Sequence, residues 1–177
     1  MTTAVSPAML QTLLFTNRGR GANGSEAALS GVHSGGATLP AVLGRAPAPV
    51  YDGVDDLLAD ARTRLERLSP RAAFQEVLHR RGLLVDIRPD AQRTAEGVVH
   101  PSLGPLVVER NVLEWRFDPR HEARLPQAGF DTRVIVLCQE GYTSSLAADA
   151  LVRLGVVRAT DVVGGFAAWR GAGMPVA

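Results

Sequence analysis

The chain has 177 residues, which suits one domain of ordinary size with a short extension. Apolar residues make up 46% of it and aromatic residues 5%, so a core of Val, Leu and Ala is available and wholesale disorder is excluded. Nineteen basic residues, all of them Arg, stand against eighteen acidic ones, and the net charge of +1 is too balanced for nucleic-acid binding. Because no apolar run reaches the roughly eighteen residues that span a bilayer, we expect neither nucleic acid nor membrane as a partner.

The first fifty or so residues differ in composition from the rest of the chain. They are rich in Gly, Ala, Ser and Pro, contain a single acidic residue, Glu26, and show no helical or strand period beyond one turn. We therefore predict a flexible or disordered tail over residues 1–50 and a domain over residues 51–177. An acid-poor targeting peptide and an extension from a misassigned start codon are the alternatives for the tail.

Two helices open the predicted domain. Apolar residues recur at helical spacing over residues 54–68, with acidic residues in the first turn and arginines toward the end, which predicts a leading amphipathic helix. Ser69 followed by Pro70 is typical of a helix start. A second helix should therefore follow and include Leu78.

The remainder alternates short apolar runs with helical patterns. Four runs are predicted to be buried strands: Leu83–Ile87, Leu106–Val108, Arg133–Leu137 and Asp161–Val163. A helix that Gly155 closes follows the third run, and a short helix through Phe166 and Trp169 follows the fourth. This order predicts an α/β fold with a central parallel sheet flanked by helices.

The single cysteine, Cys138, lies between the strongest predicted strand and a helix. Having one cysteine excludes an internal disulfide framework and favours a reducing, cytoplasmic location, and the four histidines lack metal-ligand spacing. A loop of small residues that enters a helix directs several backbone N–H groups at one point, where they would stabilise a thiolate, a persulfide or an anion. The alternative is a buried cysteine that only fills the sheet.

Three segments carry a resemblance to a known family. They are Leu84–Arg88, the loop Cys138–Thr143, and Val163–Pro175 with its Gly-Gly-Phe-Ala-Ala-Trp run. In this order they resemble the rhodanese-like single-domain sulfurtransferases. Glu109–Arg116 and the Cys-x-Glu-Gly-Tyr-Thr-Ser-Ser loop are similar to an actinobacterial subgroup. Gly97–Pro105 departs from the family, which usually has Gly-His-Ile-Pro-Gly-Ala there.

The resemblance implies a rhodanese-like domain in which Cys138 is the nucleophile. It would take a sulfane sulfur as a persulfide and pass it to a thiol or to cyanide, with no cofactor. The substrate-binding cradle that the resemblance implies consists of Gln139, Glu140, Gly141, Tyr142, Thr143 and Ser144. Asp86 and Arg88 match residues that brace the architecture. Arg110 either receives an anionic donor or lies on a solvated helix face.

The single cysteine, Glu140 and Ser144 also bear on the expected partners and on the competing functions. Because the chain has no second cysteine, the persulfide must pass to a small thiol such as glutathione or mycothiol, to cyanide, or to a protein acceptor. Glu140 should repel dianionic donors, so we expect thiosulfate to be used poorly. A non-catalytic rhodanese module that binds a partner is the alternative. A cysteine phosphatase is disfavoured because Ser144 stands where that class requires an arginine.

Overall fold

A four-stranded parallel sheet organises the protein. The computed structural model describes residues 48–177, so the tail predicted for residues 1–50 lies almost entirely outside the described residues. The strand order is β2-β1-β3-β4, and every neighbouring pair is parallel. The strands are β1 (Leu83–Asp86), β2 (Leu106–Val107), β3 (Val134–Leu137) and β4 (Thr160–Asp161). The predicted α/β class with a central parallel sheet is confirmed.

Helices cover both faces of this sheet. They are α1 (Val54–Thr63), α2 (Pro70–Leu78), α3 (Asp90–Glu96), α4 (Leu113–Phe117), α5 (Thr143–Arg153) and α6 (Gly165–Gly171). The second begins as predicted, because the Ser69 side chain accepts a hydrogen bond from the Ala72 N–H at 3.2 Å. The sequence patterns did not predict α3, and they indicate α4 only as the helix-face alternative for Arg110. Within residues 48–177, no helix is long and apolar enough to cross a bilayer.

Strand β3 shows how the sheet divides the core. All four of its side chains are buried, and they alternate between the two faces. Val134 and Val136 belong to a core layer with side chains of α4 and α5. Ile135 and Leu137 belong to the layer that contains Trp169 of α6 and residues of α2. An uninterrupted apolar strand is what a sheet covered on both faces requires.

The leading helix is shorter than the predicted span of residues 54–68, and that prediction is wrong at its C-terminal end. Helix α1 ends at Thr63, and Leu68 instead pairs with Val162 in a parallel bridge. The Leu68 N–H donates to the Asp161 carbonyl at 3.0 Å, and the Leu68 carbonyl accepts from Val163 at 2.8 Å. A continued helix would leave the Asp161 carbonyl and the Val163 N–H without these partners, so sheet pairing prevails over helical periodicity.

The segment that departs from the family pattern also has its own structure. Val99 pairs with Val176 near the end of the chain, and a short 3-10 turn, Pro101–Leu103, follows. The His100 ring nitrogen accepts from the Ser102 N–H at 3.2 Å and so begins that turn. Strand β2 comes next and pairs with β1 over two residues.

The carboxyl ends of β1 and β3 bring the candidate site together. Asp86 and Leu137 are register partners in the two adjacent parallel strands. The residues just beyond them, Arg88 and Cys138, therefore emerge at the same edge of the sheet. This edge is where open α/β sheets place their binding crevices.

Candidate active site

Cys138 occupies the N-terminal end of helix α5. Its Sγ accepts hydrogen bonds from the backbone N–H of Gly141 at 3.2 Å and of Ser144 at 3.3 Å. No side chain caps α5 at Tyr142, so the sulfur takes the place that a capping oxygen commonly has. The cysteine is only 8% exposed. Two N–H donors and the positive end of an eleven-residue helix favour negative charge on this sulfur.

The carbonyl groups of the loop are bound from the side of α6. The Cys138 oxygen accepts from the Phe166 N–H at 2.8 Å, and the Gln139 oxygen accepts from the Ala167 N–H at 2.9 Å. A trans peptide places its N–H opposite its C=O, and these residues contain no cis peptide. Binding the carbonyls at α6 therefore directs the amide hydrogens of the same peptides away from that helix.

The loop conformation requires glycine at position 141. Gly141 has a φ of 77°, in the left-handed region that side chains with a Cβ rarely adopt. A Cβ built there would lie 2.6 Å from the Gly164 nitrogen and 3.0 Å from the Val162 oxygen. Any larger residue would push the loop away from the turn between β4 and α6, and Cys138 would lose its N–H donor from Gly141.

A chain of hydrogen bonds runs inward from the sulfur. Sγ lies 3.2 Å from the Ser144 hydroxyl, which donates to Asp161 at 3.1 Å, and the Ser145 hydroxyl lies 2.8 Å from the same carboxylate oxygen. Asp161 is fully buried at the end of β4. The Ser144 hydroxyl can accept from a thiol while it donates to Asp161, or turn to donate to a thiolate.

Two arginines that precede α2 bind the same loop. Arg67 donates to both carboxylate oxygens of Asp161 at 2.8 and 3.0 Å and to the Gly141 carbonyl at 3.1 Å. Arg62 donates to that carbonyl at 3.0 Å and to Ser145 at 3.2 Å. Sequence reasoning missed both arginines as site residues. The sequence predicts them only as charges that complement a helix dipole, and no local pattern separates them from the neighbouring Arg64.

Asp86 and Arg88 form a buried ion pair on the other side of the loop. The guanidinium contacts both carboxylate oxygens, the shortest at 2.7 Å, and lies 3.7 Å from the Phe166 ring centroid. It also donates to the Gly97 carbonyl at 3.0 Å and to the Gln139 side-chain oxygen at 3.2 Å. Arg88 thus links the end of β1 to the residue that follows Cys138.

A cavity of about 510 Å³ opens in front of Cys138. It brings together most of the residues that sequence reasoning selected for the site, whereas Gly141 and Ser144 lie buried beneath the loop. Asp86 is buried and does not line the cavity. The lining consists of Ile87, Arg88, Pro89, Asp90, Gln92, Glu109, Arg110, Asn111, Cys138, Gln139, Glu140, Tyr142 and Thr143.

Arg110 lies in the cavity wall, and its charge is already paired. It donates to both oxygens of Glu114, one helical turn away, at 2.7 and 2.9 Å. The two interpretations of Arg110 are therefore compatible, since it is both a helix-surface ion pair and a lining residue. Among the ion pairs of residues 48–177, none includes Glu109 or Glu140. The unpaired charges at this cavity are carboxylates.

The family assignment follows from a comparison with protein-family models. Residues 70–172 match the rhodanese-like domain, which accounts for more than half of the chain. The chain belongs to the rhodanese-like domain family. The match begins at the first residue of α2, so the segment that carries Arg62 and Arg67 precedes the family region.

Curated relatives of this rhodanese-like domain include sulfurtransferases. The "Adenylyltransferase and sulfurtransferase MOCS3-2" of Zea mays is 34% identical over 87 residues, which cover 49% of this chain and 17% of the maize protein. The "Thiosulfate sulfurtransferase GlpE" of Vibrio cholerae is 42% identical over 52 residues, 29% of this chain and 49% of that protein. The chain therefore spans less than half the length of either relative.

Solved structures share the fold. A Rhodopseudomonas palustris protein of unknown function, described as a possible tyrosine phosphatase, has a TM-score of 0.64 and 27% identity over 74% of this chain and 98% of its own. The polysulfide-sulfur transferase homodimer of Wolinella succinogenes has a TM-score of 0.55 and 21% identity over 68% of this chain and 84% of its own. At that identity the second match concerns the fold alone.

Proposed function

We propose that the protein is a sulfurtransferase that carries a sulfane sulfur on Cys138. One observation carries the proposal: Sγ lies at the N-terminus of α5, accepts two backbone N–H bonds, and borders a cavity of about 510 Å³. A persulfide that extends from Sγ would place its terminal sulfur among the loop's N–H groups. These donors are fixed before any substrate arrives, which is the condition for effective electrostatic stabilisation.

The proposed reaction has two displacement steps. In the first, the Cys138 thiolate attacks the sulfane sulfur of a donor, a sulfur–sulfur bond forms, and the donor's own bond breaks with its electron pair leaving on the donor's thiolate. In the second, an acceptor thiolate or cyanide attacks the terminal sulfur and releases Cys138 as the thiolate. No net oxidation occurs and no cofactor takes part in either step.

The charges at the cavity support a choice among donors. Glu140 is exposed in the loop and Glu109 also lines the cavity, while Arg110 is neutralised by Glu114. Dianionic thiosulfate meets repulsion there, so we propose a persulfide of a small thiol as the preferred donor. The acceptor is a small thiol, cyanide or a protein cysteine. A reducing cytoplasm suits a carrier that has no second cysteine.

A phosphatase is the competing chemistry, because the Rhodopseudomonas palustris protein is described as a possible tyrosine phosphatase. Cysteine phosphatases neutralise the phosphoryl oxygens with a cation inside the loop. The residue at that place is Ser144, whose hydroxyl points to Asp161. Arg62 and Arg67 reach the loop through the Gly141 carbonyl and are not among the residues that line the cavity.

The test compares wild-type protein with Cys138→Ser in two assays. We expect sulfur transfer from glutathione persulfide to cyanide by the wild type and none by the variant, with the same thermal unfolding midpoint within a few degrees. Neither protein should hydrolyse p-nitrophenyl phosphate. Phosphatase activity that disappears in Cys138→Ser would replace the proposal. Absence of both activities in wild-type protein would favour the non-catalytic binding module.

A further inference from the structure

The Gly141 carbonyl has an unusual set of partners. Arg62 donates to it at 3.0 Å, Arg67 at 3.1 Å and the Ser145 hydroxyl lies at 3.1 Å. The N–H of the same glycine points at the Cys138 sulfur. One residue therefore connects two guanidinium groups on one side to the reacting atom on the other.

We propose that Arg62 is a positioning residue for the Cys138 loop, acting through the Gly141 carbonyl. This inference rests on the proposed sulfurtransferase function and extends the working site beyond the family region, which begins at Pro70. Arg62 does not line the cavity and does not donate to the sulfur. It fixes the orientation of the Gly141–Tyr142 peptide, which lies between the two residues whose N–H groups donate to Sγ, Gly141 and Ser144.

The contacts of Arg62 distinguish it from Arg67. Arg67 is bound to both oxygens of the buried Asp161, so its removal would leave an uncompensated charge in the core. Arg62 has no carboxylate partner among the described residues. Its other contacts are the Ser145 hydroxyl and the ring of Tyr142, whose centroid lies 5.7 Å from the guanidinium carbon. Removing Arg62 therefore takes away one of the three partners of the loop carbonyl without creating a buried unpaired charge.

A loop with a φ of 77° at Gly141 needs such restraint. Glycine has access to several backbone conformations of similar energy, so without its carbonyl partners the peptide that follows can rotate. A rotated loop would turn N–H groups away from the sulfur and would weaken the stabilisation of both thiolate and persulfide. Small displacements of this kind reduce rates strongly when reacting groups must be aligned.

The chain offers a matched control two residues further on. Arg64 also joins the first helix to α5, through Asp149 at 2.5 and 3.1 Å, and binds Asp60 within α1. It makes no contact with the Cys138 loop. Arg62→Met and Arg64→Met therefore each remove a link between the same two helices. Only the first removes a link to the loop, and only the second leaves a buried carboxylate, that of Asp149, without its ion-pair partner.

The experiment measures the rate of Cys138 alkylation by iodoacetamide as a function of pH, together with kcat for sulfur transfer, in wild type, Arg62→Met, Arg62→Lys and Arg64→Met. We expect Arg62→Met to lower kcat and the alkylation rate at neutral pH by about tenfold and to move the alkylation midpoint to higher pH. Arg62→Lys, which keeps one donor, should recover much of the loss. Arg64→Met should lower the unfolding midpoint and leave both rates within about twofold of wild type.

Alkylation needs no sulfur donor, so the two proposals fail in different ways. If wild type transfers no sulfur but Arg62→Met still shifts the alkylation profile, the proposed function falls and the positioning role stands. Arg62→Met with wild-type rates in both assays overturns the positioning role. So do equal losses in Arg62→Met and Arg64→Met, because the effect would then come from docking of α1.

Discussion

The Cys138 loop is held from two sides by arginines that work in different ways. On one side Arg88 is fully buried, pairs with Asp86 and reaches the loop through the side chain of Gln139. On the other side Arg62 and Arg67 bind a backbone carbonyl. The first arrangement shapes the cavity wall, whereas the second orients the peptide that joins Gly141, an N–H donor to the sulfur, to the start of α5.

Because of this difference, we expect Arg88 to matter mainly for the stability of the domain and Arg62 mainly for the chemistry at Cys138. Arg88 also binds the Gly97 carbonyl and stacks on Phe166, so it connects β1, the end of α3 and α6. Its loss should damage the whole domain. Arg62 is half-buried and pairs with no carboxylate of residues 48–177, so its loss should act mainly on the loop. Variants of Arg88 and Arg62 can therefore be compared by two separate measurements, the free energy of unfolding and the rate of sulfur transfer.

The largest effect on stability should come from the Arg88 side. Arg88→Met leaves Asp86 buried and unpaired, so we expect a loss of about 3–5 kcal/mol in the free energy of unfolding, measured in urea. Arg81→Met, which breaks an exposed pair with Glu76, should cost less than about 1 kcal/mol.

A double variant sharpens this prediction. Asp86→Leu combined with Arg88→Met removes both charges, so it should be destabilised by less than the sum of the single variants, with a coupling of about 0.5–3 kcal/mol. Strict additivity would show that the buried ion pair does not account for the role of Arg88.

An effect of intermediate size is expected on the choice of sulfur donor, from the loop residue Glu140. A carboxylate about 5 Å from a negative sulfur, at an effective dielectric near 20, repels it by roughly 3 kcal/mol before screening, and the exposure of Glu140 reduces this. Glu140→Gln should therefore raise kcat/KM for thiosulfate by roughly threefold to tenfold at low salt and by less at high salt.

Two controls decide whether Glu140 acts through charge at the cavity. Glu122→Gln, an exposed residue outside the cavity lining, should leave thiosulfate turnover unchanged. The preference of wild type for glutathione persulfide over thiosulfate should weaken in Glu140→Gln. Unchanged thiosulfate turnover in Glu140→Gln at low ionic strength, or a wild-type preference for thiosulfate, would reject the electrostatic explanation.

The smallest effect concerns the attachment of the helix that carries Arg62. Hydrogen bonds from Arg64 and then from Tyr51 lower the pKa of Asp60 to about 2. A carboxyl whose pKa is lowered by folding stabilises the protein above its unfolded value near 4, and this contribution disappears as the pH falls through about 2. Asp60→Asn should thus have a lower Tm than wild type near neutral pH.

The pH dependence supplies the check on this attachment. The difference in Tm between wild type and Asp60→Asn should shrink steadily as the pH is lowered from about 4 to about 2. A difference that stays constant on acidification would mean that ionisation of Asp60 does not stabilise the protein through its bonds to Arg64 and Tyr51.

The sequence predicted one side of the loop and not the other. Asp86 and Arg88 are two residues apart at the end of a strand and match a short family motif, so the resemblance was enough to select them. The bond from Arg62 to Gly141 joins residues that are 79 positions apart. Only the fold brings them together, and the helical spacing that continued to residue 68 concealed the extended segment that carries Arg67.

The short helices were not predicted as separate elements for a different reason. Helix α3 has seven residues and no buried side chain, and α4 has five residues. Helices of this length are not stable alone and form because tertiary contacts hold them. For α3 such a contact is the side chain of Arg93, which donates to the Arg88 carbonyl at the end of the β1 segment. This contact does not depend on a periodic apolar pattern, so the sequence carries no such signal for α3.

The most direct test of the central claim is the intact mass of the protein after exposure to glutathione persulfide, thiosulfate and 3-mercaptopyruvate in turn. Wild type should gain one sulfur atom, located on Cys138 by peptide mapping, most completely with glutathione persulfide. Addition of cyanide should remove this sulfur as thiocyanate, and Cys138→Ser should gain nothing. A wild-type protein that stays unmodified by every donor, or a sulfur that Cys138→Ser also acquires, would contradict the account.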